Sequence, residues 1–493
     1  MQYTSTRDSG VRVSAAEAVA RGICPDGGLY VPTEIPVLTA DDFAALKKMD
    51  YVSRAAFIIG KYLTDFSADE LDGCLRRAYD VKTFHNNPAP VVRLGGGKAM
   101  LELWHGPTCA FKDMALQLLP HLLTASVKKR GDEREIIILV ATSGDTGKAA
   151  LDGFAGLPGA RIVVFYPEQG VSRIQQLQMT TQEGGNVAVF GVKGNFDDAQ
   201  NGVKRIFTDG ELRKALNEKG MAFSSANSIN WGRLVPQIVY YISAYLDLNF
   251  DLNEKKPVNI TVPTGNFGNI LAAFYAMRMG LPVNKLICAS NRNNILTDFI
   301  RTGIYDRHRD FYATMSPSMD ILISSNLERL LWILADGEGG KIKNWMDNLS
   351  ATGRYEVDDG VKSKLRSFFR AGYCDDAATG EEIRRVFDNE KYLCDTHTAV
   401  ACRVYREYRD ETGDSTETII ASTASPFKFS SDVLAALGGD TGGLDEFDVL
   451  AKLEEISGLT APPQLTALKT KPVRFRGVCD KDNMRETVMN LLI

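Results

Sequence analysis

The chain has 493 residues, of which 44% are hydrophobic and 24% charged, and this composition is typical of a globular protein of two or about three domains. Its formal net charge of −5 is spread along the sequence and its eight cysteines form no CxxC pair, so nucleic acid, a metal and a redox motif are not expected. No apolar run reaches membrane-spanning length and charged residues interrupt the N-terminus, so we expect a cytoplasmic protein without a membrane partner.

Residues 1–95 are predicted to form a mainly helical N-terminal domain. Helices are expected over 14–21, 41–49 and 67–80, the last two of which open on capping residues. The segment 91–103 is interrupted by three consecutive glycines and predicts a β-hairpin.

From residue 136 onward, apolar runs of strand length alternate with helical segments. The order predicts parallel, doubly wound sheets, arranged as two α/β lobes with a cleft between them. We assign 96–200 to a smaller lobe and 201–493 to a larger lobe, with a helical insertion near 316–415. The predicted strands are 136–140, 161–166, 186–192, 259–262, 285–289 and 418–421.

Lys112 lies where a loop becomes a helix. The tight Gly106-Pro107 turn precedes it, Phe111 flanks it, and an apolar helical run begins at Met114. Burial lowers the pKa of an amine, as a Schiff-base lysine requires. The alternative is a lysine at a helix start whose ammonium group reaches water.

The segment 142–147 joins a buried strand to a helix and predicts an anion site made of backbone N–H groups and hydroxyls. It is not a Walker A loop, because Thr142 stands where that loop needs glycine and Ala149 where it needs Ser or Thr. A structural turn is the alternative interpretation.

Three further segments carry polar groups that suit a ligand. Two glycines in 263–269 would let the backbone wrap an anion at a helix N-terminus, although a tight turn explains them too. The segment 225–233 offers amides, hydroxyls and Arg233 to a phosphate or a carboxylate, or else forms an N-cap cluster. A hydroxyl of 421–426 would point into the cleft, unless this segment is a plain strand-end turn.

Taken together, these segments resemble the long-form threonine synthases, which are pyridoxal-phosphate enzymes of the tryptophan-synthase-β type. The resemblance implies an α/β protein of fold type II, with two doubly wound parallel-sheet lobes around a cofactor cleft. Ser425 is a departure, because the family pattern Ser-Thr-Ala-His-Pro has His at this position. The matching residues occur in order at 3–7, 25–32, 105–108, 111–113, 143–147, 227–230, 233, 265–269, 317–321 and 396–400.

The resemblance implies a role for each candidate residue. Lys112 would bind pyridoxal 5'-phosphate as a Schiff base and move protons, and Thr423 would meet the pyridine nitrogen. Asp145 would lie near the ring oxygen of the cofactor, and we expect its carboxyl to be protonated or bridged by water. The cofactor phosphate would be held by Gly265, Asn266, Phe267, Gly268 and Asn269.

The resemblance also implies the substrate contacts and the reaction. O-phospho-L-homoserine and water would give L-threonine and phosphate, in a monomer or a homodimer. Alternatives are a phospho-lyase that makes 2-oxobutyrate from the same substrate, and a catalytically dead regulatory protein of this fold. The substrate carboxylate would contact Ser143, Gly144 and Thr146 beside Asp145, and its phosphate would contact Ser228, Asn230 and Arg233.

Overall fold

A computed structural model of the chain describes residues 1–84, 87–169 and 171–493. Its strands are β1 (Tyr3–Ser5), β2 (Tyr30–Pro32), β3 (Val91–Leu94), β4 (Lys98–Glu102), β5 (Glu135–Ala141), β6 (Ala160–Pro167), β7 (Val187–Lys193), β8 (Met221–Ser224), β9 (Val258–Pro263), β10 (Val283–Ser290), β11 (Ile304–Asp306), β12 (Arg354–Glu356), β13 (Phe369–Tyr373), β14 (Thr418–Ser422) and β15 (Val478–Asp480).

Its helices are α1 (Ala15–Arg21), α2 (Ala40–Lys47), α3 (Tyr51–Gly60), α4 (Ala68–Ala78), α5 (Val81–Phe84), α6 (Asp113–Leu116), α7 (Leu119–Lys129), α8 (Asp145–Phe154), α9 (Arg173–Thr180), α10 (Phe196–Thr208), α11 (Gly210–Glu218), α12 (Trp231–Asp247), α13 (Gly268–Arg278), α14 (Ile295–Thr302), α15 (Leu327–Leu334), α16 (Gly339–Thr352), α17 (Asp359–Phe368), α18 (Asp376–Glu390), α19 (Thr396–Thr412), α20 (Ser430–Ala436), α21 (Glu446–Ser457), α22 (Pro463–Thr466) and α23 (Met484–Leu492).

Two sheets form the frame of the molecule. The smaller has the strand order β15-β7-β6-β5-β8, and all of its neighbouring strands are parallel. The larger has the order β13-β10-β9-β14-β4-β3, and only β3 runs antiparallel to its neighbour. The predicted α/β architecture is confirmed, including the hairpin of β3 and β4.

The strand order divides the chain differently from the division expected at residues 95 and 200. The hairpin of β3 and β4 pairs with β14 in the larger sheet, so β4 does not belong to the smaller lobe. Beyond residue 200, β8 and β15 complete the two edges of the smaller sheet. Within 316–415, which is mostly helical, β13 forms an edge of the larger sheet. An apolar run predicts a strand but not the sheet that the strand joins.

The apolar helix α12 runs through the centre of the core. It begins at Trp231, because the Asn230 side chain caps it, and it continues past Pro236. Nearly all of its side chains are buried. Of the helices in the described ranges, none combines the length and the hydropathy needed to cross a membrane.

Helices α6 and α8 approach each other closely at Gly153. A Cβ atom at this position would lie 2.0 Å from the carbonyl oxygen of Leu116. Because Lys112 immediately precedes α6 and Asp145 begins α8, this contact fixes the spacing between the two side chains.

Gly153→Ala should lower the free energy of unfolding by about 1–3 kcal/mol, because the new methyl group forces the backbones of α6 and α8 apart. Denaturant unfolding followed by circular dichroism measures the change. Gly340→Ala is the matched control: Gly340 is exposed in α16 and its Cβ would meet no atom within 4 Å. Equal stability of the two variants would contradict the close packing at Gly153.

Candidate active site

A short backbone ladder places Lys112 at the end of β14. The N–H of Phe111 donates to the carbonyl of Thr423 at 2.8 Å, and the N–H of Ser425 donates to the carbonyl of Cys109 at 3.1 Å. The segment before Lys112 is therefore held against the segment that follows β14. Ligands of parallel α/β sheets bind at this edge, beyond the carboxyl ends of the strands.

The ammonium group of Lys112 lies in a polar and largely buried environment. Its Nζ atom donates to Ser318 Oγ at 3.1 Å and lies 3.7 Å from Asp145 Oδ2. Burial lowers the pKa of Lys112, and the positive charges of Lys428 and Arg233 lower it further, whereas Asp145 acts in the opposite direction. Lys112 thus has the depressed basicity that carbonyl chemistry requires.

Both oxygens of Asp145 accept hydrogen bonds. Oδ1 accepts from Gln175 Nε2 at 2.8 Å and forms an ion pair with Lys428 Nζ at 3.0 Å, and Oδ2 accepts from Ser318 Oγ at 3.1 Å. Burial alone would raise the pKa of Asp145, but Lys428 and Lys112 outweigh it and hold that pKa well below its usual range. The structure therefore contradicts the expectation of a protonated carboxyl at Asp145.

A buried histidine and aspartate fix the position of Ser318. The backbone N–H of Ser318 donates to His397 Nε2 at 3.2 Å, and His397 Nδ1 lies 2.8 Å from Asp395 Oδ2. A ring nitrogen that accepts from an N–H carries no proton, so Nδ1 carries it and donates to Asp395. The motifs around Ser318 and His397 were recognised in the sequence, but their contact with the Lys112 site was not.

The segment 263–269 passes over the turn that carries Ser318. A Cβ atom at Gly265 would lie 2.9 Å from the Ser318 carbonyl oxygen and 3.1 Å from Met319 Cα, so only glycine fits there. Phe267 has a φ of 63°, and its ring is buried at 6.0 Å from the Phe369 ring. This anchor holds a left-handed backbone conformation that a bulky residue adopts only under external constraint.

The N-terminus of α13, which follows Phe267, is open to an anion. No side chain in the described part of the chain caps this helix. Asn269 Oδ1 accepts from the Tyr240 hydroxyl at 2.8 Å, while Asn269 Nδ2 and Arg233 Nε are buried without a partner among the described residues. Unpaired buried donors call for a ligand, so these groups fit the phosphate of a cofactor or substrate.

The segment 142–147 forms a second helix N-terminus, in which Thr142 Oγ1 accepts from the N–H of Gly147 at 2.9 Å while the N-cap residue Gly144 has no side chain to cap the helix. Thr142 Oγ1 accepts from the N–H of Gly144 at 3.0 Å, and a Cβ atom at Gly144 would lie 2.5 Å from the Gln175 side chain. Ser143 is exposed and Thr146 is half-buried at the start of α8. Their N–H and hydroxyl groups can reach a carboxylate.

Asn230 has the geometry of the N-cap alternative. Its Nδ2 donates to the carbonyls of Val19 and Ser225, each at 2.9 Å, and its Oδ1 accepts from the N–H of Gly232 at 2.9 Å. Both amide protons are used on the backbone, so this side chain has no donor left for a substrate phosphate.

Ser228 is linked to the loop 263–269, and the charge of Arg233 acts on Lys112. Ser228 Oγ is 3.2 Å from Ser325 Oγ, which in turn donates to Asn266 Oδ1 at 3.2 Å. Arg233 donates through Nη1 to the Ala226 carbonyl at 2.9 Å, and burial lowers its pKa to about 10. Arg233 still carries its charge at neutral pH.

Thr423 and Ser425 lie in the segment that follows β14. The Thr423 N–H donates to Thr398 Oγ1 at 3.3 Å, while its hydroxyl has no partner among the residues described. Ser425 Oγ is buried and has no partner within those ranges either. Position 425 therefore makes no side-chain contact that would replace the histidine of the family pattern.

Two residues that contact the Asp145 carboxylate were not predicted from the sequence. Lys428 lies in the 3-10 turn Pro426–Phe429 and Gln175 in α9, both far from Asp145 in the chain. A lone lysine between two phenylalanines was the only local indication of Lys428.

Three family models match the chain. The model described as threonine synthase N terminus covers residues 2–79, pyridoxal-phosphate dependent enzyme covers 83–358, and threonine synthase C-terminal covers 398–488. Threonine synthase from Saccharomyces cerevisiae is 37% identical over an alignment of 487 positions that covers 93% of this chain and 93% of that protein. The chain belongs to the threonine synthase family of pyridoxal-phosphate dependent enzymes. The family, the fold and the cofactor predicted from the sequence are confirmed.

A solved structure extends the match to the whole fold. The crystal structure of pyridoxal-phosphate-bound threonine synthase from Brucella melitensis is 35% identical, with a TM-score of 0.89 over 100% of this chain and 98% of that chain. Threonine synthase-like 1 from Homo sapiens is 41% identical over 88% of this chain. The chain spans only 58–64% of the length of the threonine synthase-like 1 relatives.

Gly265→Ala should weaken the binding of pyridoxal phosphate by about ten-fold or more, because the methyl group displaces 263–269 from the turn at Ser318. Absorbance titration of the cofactor-free protein measures the affinity. In the control variant Gly380→Ala, in α18, the nearest atom to the new Cβ is 3.9 Å away. Unchanged affinity in Gly265→Ala would show that the loop does not hold the cofactor.

Proposed function

We propose that this protein is a threonine synthase, which converts O-phospho-L-homoserine and water to L-threonine and phosphate. The observation that carries the proposal is the placement of Lys112, a buried lysine of lowered pKa, beside a paired Asp145. Likeness to yeast threonine synthase over 93% of both chains supports the same reaction. A cytoplasmic location and a monomeric or homodimeric state are part of the proposal.

The cofactor would be held at both ends. Lys112 would bind it covalently, and the backbone N–H groups of 265–269 at the start of α13 would bind its phosphate, with Asn269 Nδ2 available beside them. Thr423 would meet the pyridine nitrogen with its free hydroxyl, and Asp145 would lie on the side of the ring oxygen. Pyridoxal phosphate, when bound, supplies an electron-withdrawing system that makes the C–H bonds of the substrate acidic.

Lys112 would do the proton transfer. Its Nζ atom would accept the proton from Cα of the substrate, release it to solvent, and then accept a proton from Cβ. It would later donate a proton to Cγ, which becomes the methyl carbon, and finally one to Cα. The hydrogen bond to Ser318 Oγ keeps Nζ in one place between these tasks. A lowered pKa lets one amine act as base and acid near neutral pH.

The substrate would bind between the N-termini of α8 and α13. Ser143, Gly144 and Thr146 would bind its carboxylate at the start of α8. Arg233 and Ser228 would bind its phosphate, since a fixed cation and hydroxyl stabilise the charge that develops as the phosphate leaves. Asn230 would contribute by holding the backbone of 225–230 in place.

Borohydride treatment of the purified protein should remove a yellow absorbance band and fix the cofactor on Lys112. Peptide mapping locates the adduct, and Lys112→Ala should have neither the band nor turnover. Lys148→Ala is a matched control, because Lys148 is also buried and paired but with Asp152, at 2.8 Å. An adduct on another lysine in the wild-type protein would refute the assignment.

The destination of the water oxygen distinguishes the proposed reaction from its rivals. Turnover in heavy-oxygen, deuterated water should place the oxygen label in the threonine hydroxyl and deuterium at Cα and in the methyl group. The phosphate should remain unlabelled, because the Cγ–O bond is cleaved. Mass spectrometry of the products would reveal a phosphatase by label in the phosphate, and a phospho-lyase by 2-oxobutyrate without threonine.

A further inference from the structure

Lys428 is a buried cation without contact with solvent. Its side chain is 0% exposed, and Phe427 and Phe429 flank it in the 3-10 turn after β14. Its Nζ atom lies 3.0 Å from Asp145 Oδ1 and donates to the Thr108 carbonyl at 2.7 Å. A buried ammonium group needs a partner of opposite charge, because its removal from water costs on the order of several kcal/mol.

Lys428 and Lys112 contact different oxygens of the same carboxylate. Lys428 lies beside Oδ1, whereas Lys112 and Ser318 lie on the side of Oδ2. One carboxylate therefore faces two ammonium groups, and the nearer of the two is not the lysine that would bind the cofactor. If Lys428 were absent, the full negative charge of Asp145 would act on Lys112.

We propose that Lys428 is a positioning residue that neutralises Asp145, so that Lys112 releases its proton at neutral pH while Asp145 stays in place. The inference rests on the proposed function only in taking Lys112 as the cofactor lysine. It does not depend on which product the enzyme makes.

Other groups also face the pair. Asp113 is linked to Lys428 through Thr108, and burial raises the pKa of its carboxyl to about 7, so Asp113 titrates within the pH range of the test. Arg233 of α12 adds positive charge near Lys112, and His397 of α19 faces Asp145 with an imidazole whose Nε2 accepts from a backbone N–H. Gln175 of α9 binds Asp145 as a neutral donor. Asp145 is thus the negative charge that most strongly favours the protonated form of Lys112, and Lys428 is the cation that opposes it.

The test measures how fast Lys112 reacts with the cofactor as a function of pH. Cofactor-free full-length protein is mixed with saturating pyridoxal phosphate, and the growth of the absorbance band is followed between about pH 6 and pH 10. Lys428→Met should raise the pH midpoint of the rate by about one unit or more. The rate near pH 7 should therefore fall about ten-fold and recover at high pH, whereas a merely structural defect would slow the reaction equally at every pH.

Two further variants make the result decisive. Lys428→Met/Asp145→Asn removes both charges and should restore the wild-type midpoint, even if Lys428→Met alone fails to fold because it leaves Asp145 unpaired. Lys148→Met removes a similarly buried, paired lysine of α8 and should leave the midpoint unchanged. An unchanged midpoint in Lys428→Met, a double variant that does not return to it, or an equal shift in Lys148→Met would overturn the proposal. A wild-type protein that forms no band at all would instead refute the proposed function.

Discussion

The position of Lys112 depends on a backbone ladder between 109–111 and 423–425. Residues that contact a ligand beyond a parallel strand usually belong to the loop that follows that strand. Here a second segment, the loop before α6, is hydrogen-bonded to the segment after β14. Lys112 and Thr423 therefore move together, although they are far apart in the chain. In the proposed function these two residues contact opposite ends of one cofactor ring, and such a role needs a rigid connection, because small displacements cost large factors in rate.

Charge placement around Asp145 follows from the same frame. The α6–α8 contact at Gly153 brings α8 close to Lys112, and the turn after β14 brings Lys428 to the other carboxylate oxygen. In the proposed arrangement Asp145 lies beside the ring oxygen of the cofactor. An ionised, unpaired aspartate there would repel that oxygen in its phenolate form. The pairing of Asp145 with Lys428 offsets that negative charge, so a carboxylate can occupy this place.

Local sequence patterns were sufficient for six strands of the two sheets, for the β3–β4 hairpin and for the loops at 142–147 and 263–269, whereas the edge strands β8, β13 and β15 were not predicted. A strand-to-helix junction is indicated by an apolar run followed by glycine and hydroxyl residues, and all of these residues lie within a few positions of one another in the sequence. Lys428, Gln175 and His397 could not be placed in the same way, since their partners come from distant segments. Asn230 shows another limit: an amide suits a cap and a phosphate equally well, and only its three backbone contacts distinguish the two.

The late strand β15 has a consequence for how the protein is made. It covers the outer edge of β7, yet it follows every strand of the larger sheet in the chain. On the ribosome, β7 therefore emerges long before its neighbour and leaves a row of unpaired N–H and C=O groups that another nascent chain can pair with. The three residues 478–480 cover part of that edge only after they have emerged, so this edge of β7 stays open to such pairing until every strand of the larger sheet has been made.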